Sequence, residues 1–126
     1  MVLVGLGGAI GSVLRYLTSV LAAHWLGEQF PYGTLIVNLV GSFAIGLVHQ
    51  LASDTLLIPD NLRLFLTTGI MGGLTTYSAF SYETARFMET GAWTQAWINI
   101  TITTTVAIGL CLLGMAAGRH LLGLRA

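Results

Sequence analysis

The stretch GGLTTYSAFSYE, residues 72–83, decides the fold: it lies inside a run long enough to cross a bilayer, yet half of its residues carry hydroxyls and it ends on Glu83. Hydrocarbon offers no partner for such groups, so a span containing them needs protein or a cavity to satisfy them. Gly69, Gly72 and Gly73 fall within five residues and the β-branched Thr75 and Thr76 follow at once. Neither residue type favours a helix interior, which predicts a helix broken near its middle. Carbonyls freed there are hard oxygen ligands suited to a cation such as sodium, as in transporters with unwound helices. Beyond the break, Tyr77 and Phe80 lie three residues apart on one side of the resumed helix. Aromatics at that spacing are packing residues, or rings whose electropositive edges face an anion.

Outward from this stretch, the chain of 126 residues is 55% hydrophobic and 8% charged, with a mean hydropathy of +0.81. An ordinary soluble domain is about 25% charged, so the composition is that of an all-α integral membrane protein. The net charge of zero gives no reason to expect nucleic acid or a polybasic membrane tether. A lone Cys111 in an apolar run reads as a small buried hydrophobe. There is no Ser/His/Asp array, HExxH, CxxC or phosphate loop with its lysine, since the chain has no lysine at all; an enzyme is not expected.

A hydrocarbon core of about 30 Å takes about 20 helical residues. Four runs meet that length, at about 2–23, 33–52, 62–87 and 95–120, and make one four-helix transmembrane domain over residues 1–126. The first run starts at Met1 without a charged leader and reaches Trp25 without an A-x-A-like cleavage site, so it reads as a retained span. Trp25, Phe30 and Tyr32 suit a headgroup belt, and Asp60 or Asn61 is placed to cap the third helix. The short connections make neighbouring helices antiparallel. Arg63, Arg119 and Arg125 fall on one side and Arg86 on the other, with Arg15 mid-span, a weak bias that permits insertion in both orientations and an antiparallel homodimer. The GxxxG pairs Gly7/Gly11 and Gly114/Gly118 predict close helix packing.

Polar residues inside the spans carry the functional signal. In helix two, Thr34, Asn38, Ser42, Ile45 and His49 share one face. In helix four, Gln95, Asn99 and Thr103 repeat every four residues, while other threonines can bond their own helix. Each stripe is either interhelical glue or part of a hydrated path, and the two could meet. Arg15 and Glu83 are charges well away from the span ends; such residues pair with one another or face a cavity, so an Arg15–Glu83 pair and a vestibule carboxylate are both open readings.

The stretches GGAIGSVLRY, GTLIVNLVGSFAIG and TTGIMGGLTTYSAFSYE, followed by a polar-faced fourth helix, resemble the Fluc (CrcB) family of small bacterial fluoride channels along essentially the whole chain. The resemblance implies an antiparallel, dual-topology homodimer in the bacterial inner membrane. It also implies two fluoride pores, passive export of fluoride, and a structural sodium ion at the interface, held by carbonyls that fall on Gly72 and Thr75. It places the fluoride pathway on Asn38, Tyr77, Phe80, Thr34, Ser78, Asn99, Thr103 and Glu83, with Arg15 as the helix-one arginine. Two departures stand out: the usual T-T-F-S-T-F reads TTYSAF, so Tyr77 adds a hydroxyl and Ala79 removes one, and Ala107 shortens the helix-four polar track. A rival reading, a proton-coupled small multidrug exporter of the four-helix dual-topology type, wants an acid in the first span, where this chain has Arg15.

Overall fold

The computed structural model describes residues 1–54 and 58–123, and every regular element among them is helical. The order is α1 (Val2–Leu26), α2 (Tyr32–Asp54), α3 (Asp60–Leu64), a π-helical segment (Phe65–Met71), α4 (Gly72–Leu74), α5 (Tyr77–Glu89) and α6 (Trp93–Gly123). Helix α1, the Tyr32–Ser53 part of α2, and α6 are each long and apolar enough to cross a membrane. The third hydrophobic run is a bent helix built from α3, the π segment, α4 and α5. Helices one and four outrun their expected bounds, ending at Leu26 and starting at Trp93. Arg125 lies outside the described residues.

The expected Asp60 or Asn61 cap is replaced. Pro59 occupies the N-cap position with no side-chain bond, and Asp60 in the first turn lies 3.7 Å from Arg63. Proline has no N–H to leave unpaired, so it tolerates a helix start. Glycines with positive φ, Gly27 (93°) and Gly91 (81°), turn the chain after α1 and after α5.

Glycines set the packing. A Cβ on Gly7 would lie 2.7 Å from Phe65 O and 2.9 Å from Gly69 Cα, and one on Gly11 would meet Ile70 O and Leu74 N. Helix α1 therefore lies backbone to backbone, in parallel, along the π segment and α4. Gly114 faces Phe43 O and Leu47 N, Gly46 faces Cys111 O, and Gly118 faces Gln50, so α2 and α6 form a second parallel pair. Both GxxxG motifs thus pack as their spacing predicts.

The break itself sits later than the glycine cluster. Gly69 and Gly73 stay in helical conformation because they accommodate α1, Gly73 meeting Gly8 O and Ser12 N. Thr75 (φ −83°, ψ 155°) and Thr76 (φ −154°, ψ 115°) are the extended residues. Thr76 then caps α5, its hydroxyl accepting from the Ala79 N–H at 3.2 Å.

Candidate functional site

Asn38 on α2 makes the break. Its Oδ1 accepts the Thr76 N–H at 2.8 Å and its Nδ2 donates to the Thr76 carbonyl at 3.2 Å, so one side-chain amide stands in for a backbone partner on both sides of the residue. In an unbroken helix that N–H would close on Gly72 O. Here the Gly72 carbonyl loses this bond, while Thr75 turns its N–H and its hydroxyl back to Met71 O at 3.0 and 2.9 Å. Ser42, the next member of the α2 stripe, donates to Asn38 O at 2.7 Å.

A groove of about 480 Å³ opens beside this amide. Asn38 and Ser42 of α2, Thr75, Thr76, Tyr77 and Phe80 of the break and α5, and Thr103, Thr104 and Ala107 of α6 are among its lining. The rings of Tyr77 and Phe80 lie 5.6 Å apart at 60°. Phe80 is buried, whereas Tyr77 stands 80% exposed on the outer face, so the two rings are not equivalent. Ser78 shares a hydrogen bond with the Thr76 hydroxyl at 3.2 Å from outside the groove lining.

Glu83 occupies a different place. It accepts from the Thr34 hydroxyl at 2.6 Å and faces a cavity of about 500 Å³ with Ser19, Phe30, Tyr32 and Arg86, at the end of the bundle where α1 turns into α2. A smaller space of about 270 Å³, lined by Arg15, Tyr16, Thr34 and Thr76 among others, lies between that cavity and the groove: it shares Thr34 with the first and Thr76 with the second.

The Arg15–Glu83 pair does not form. Arg15 Nε donates to Gly73 O at 3.1 Å, because the middle of α1 faces the backbone next to the break while Glu83 sits beyond it. The guanidinium thereby satisfies a carbonyl that the extended Thr75 and Thr76 would otherwise leave open. The two polar stripes meet only in part. Thr103 reaches the groove with Asn38, but Asn99, 2% exposed, is outside the lining and donates to Thr84 Oγ1 at 3.0 Å. Gln95 is exposed. Thr76 was singled out for the break but not as the partner of Asn38, and Thr84 was not singled out at all; it was signalled only by its place one helical turn after Phe80.

For a cation, the candidate ligands are backbone oxygens. Among the described residues no three His, Cys, Asp or Glu side chains converge. The Gly72 carbonyl, released from Thr76, and the Thr75 carbonyl lie within the break, and oxygen donors of this type fit a hard monovalent ion.

A family model described as CrcB-like protein, Camphor Resistance (CrcB), matches residues 2–115. The chain belongs to the CrcB family. Its similar relatives include a fluoride-specific ion channel FluC of Sorangium cellulosum (strain So ce56), 45% identical over 119 residues, 94% of each chain. The protein of the same name from Clostridium perfringens (strain 13 / Type A) is 46% identical over 94% of this chain and 93% of its own. That of Geobacter metallireducens is 45% identical over 96% and 98%. With its apolar helices, this CrcB chain is a multi-pass membrane protein.

Proposed function

We propose that the chain is a fluoride-selective channel that lets cytoplasmic fluoride leave the cell passively and so lowers its toxicity. The observation that carries this reading is the groove beside Asn38, where uncharged donors and aromatic edges line a path at depth. Moving a small anion into low dielectric costs, on an idealised estimate, of order 20 kcal/mol. A path must therefore replace water continuously without any full positive charge to trap the ion. Asn38 has a second amide N–H beyond the one it gives to Thr76, Thr103 brings a hydroxyl whose proton otherwise goes over 3.4 Å to Asn99 Oδ1, and Phe80 and Tyr77 line the groove with rings whose edges are electropositive. Thr34 and Glu83 form the mouth, Ala79 lines the smaller space next to it, and Ser78 joins the pathway through its bond to the Thr76 hydroxyl.

The channel is an antiparallel, dual-topology homodimer in the bacterial inner membrane, with four spans per subunit in the single domain 1–126. The 80% exposure of Tyr77 supports this, since a groove open on that face is completed by a second copy. A sodium ion held by the Gly72 and Thr75 carbonyls is structural: one copy offers two oxygens, and a second copy doubles the set. The Gly72 carbonyl freed by the Asn38–Thr76 bond supports that placement. A carrier exchanging protons for drug cations finds no acid in α1, where Arg15 is committed to Gly73.

Liposomes carrying the protein are expected to release fluoride, followed with a selective electrode, far faster than chloride. Equal release of both sinks the proposal.

A further inference from the structure

We infer that Asn99 is a positioning residue for Phe80, acting through Thr84, rather than a group that touches the ion; the inference rests on the channel reading above for its consequence, but not for its geometry. Asn99 Nδ2 donates to Thr84 Oγ1 at 3.0 Å, and Thr84 Oγ1 in turn donates to Phe80 O at 2.7 Å. On the other side, Asn99 Oδ1 accepts from Thr103 at 3.4 Å. The relay therefore runs from an α6 hydroxyl that lines the groove, through a buried amide, to the backbone of an aromatic residue that also lines it.

Three observations give it this role. First, Asn99 is 2% exposed and absent from the groove lining, so an ion in the groove does not meet it. Second, α5 buries only two residues, Phe80 and Thr84, and these are the end and the middle of the relay. With so little apolar surface to hold it, α5 depends on polar ties to fix its rotation about its axis. Third, those ties fall at two levels: Asn38 holds Thr76 at the N-terminus, while Thr34 and Asn99 hold the adjacent Glu83 and Thr84 mid-helix, to α2 and to α6. Of the three, the Asn99 tie is the one that continues by a hydrogen bond to Phe80 itself. Asn99→Leu or Thr84→Val keeps the volume and removes the tie, freeing the turn to rotate and moving the Phe80 ring in the groove.

The test uses the full-length protein in liposomes and in detergent. Asn99→Leu and Thr84→Val are each expected to lower fluoride flux about tenfold, and the double variant no further than the worse single, because both cut one relay. Thr84→Ser keeps the hydroxyl and is expected to stay within about twofold of wild type. A double variant whose loss is the product of the singles, about a hundredfold, overturns the inference and puts Asn99 on the ion path. Independently of flux, 4-fluorophenylalanine at position 80 reports ring position by fluorine NMR. Its resonance is expected to move in the same direction in Asn99→Leu and Thr84→Val and to stay in Thr84→Ser. An unmoved resonance in Thr84→Val, which leaves α6 intact even where Asn99→Leu does not fold, overturns the inference. A wild type that carries no fluoride refutes the channel reading alone, while the fluorine signal still decides the relay.

Discussion

Asn38→Asp is the most informative single substitution, because it changes one atom of the bridge and almost nothing of its shape. The carboxylate can still accept the Thr76 N–H, now at 2.8 Å from Oδ1, but an oxygen replaces the nitrogen that donates to Thr76 O at 3.2 Å. The lost bond is worth about 0.5–1.5 kcal/mol, and leaving a half-buried carbonyl facing an acceptor adds about 1–3 kcal/mol. A stability loss of about 2 kcal/mol is therefore expected. Asn38→Ala removes both partners of Thr76, yet frees its N–H to rejoin Gly72 O as in a continuous helix, so its cost stays near that of the aspartate, about 2 kcal/mol rather than the sum of two orphaned groups. Flux separates the two further. Aspartate places an acceptor, and when ionised a like charge, beside the permeating anion, so fluoride flux falls at least about tenfold and further than in the alanine variant. Stability is read by denaturant titration of purified protein, flux by fluoride electrode. Wild-type stability and flux in Asn38→Asp would refute the reasoning.

Other expectations follow from single contacts. Phe80→Ile removes the buried ring from the groove and is expected to reduce flux at least about tenfold with the gel-filtration elution volume unchanged, whereas Tyr77→Phe, on an exposed ring, changes it less than about threefold. A Cβ on Gly11 meets Ile70 O and Leu74 N, so Gly11→Ala should destabilise by about 1–3 kcal/mol, while Gly5→Ala, in a helix with nothing within 4 Å, should not destabilise in the same melt. Arg15→Leu deprives Gly73 O of its charged donor and should cost about 1–2 kcal/mol, read as a lower melting temperature in detergent.

Much of the fold was legible because hydrophobic length and small-residue spacing are local signals. Gly7/Gly11 and Gly114/Gly118 named their own packing, and the broken third helix was announced by TT after a glycine cluster. The position of the break was less legible. Gly69 and Gly73 looked like helix breakers, yet their use is to admit α1, and the break is made by Asn38 from 38 residues earlier in the chain, a contact no local propensity encodes. The same limit explains Arg15. Two lone opposite charges invite pairing, but only the fold shows the Gly73 carbonyl closer to the guanidinium than Glu83 is. For the site, the α2 stripe brings Thr34 to Glu83 and Asn38 to Thr76, while Asn99 shared a helical face with Thr103 and still turned to α5, because four residues of helix advance about 40° beyond a full turn. Thr84 escaped notice since a threonine one turn past an aromatic has an ordinary explanation in its own helix, which it also satisfies.

The central claim is a passive path that distinguishes fluoride from chloride. Its most direct test is the reversal potential of wild-type protein in a planar bilayer with fluoride on one side and chloride on the other, with and without a pH gradient. The account predicts a reversal potential close to the equilibrium potential of fluoride and indifferent to the pH gradient. A reversal near zero, or one that follows the proton gradient, would contradict it.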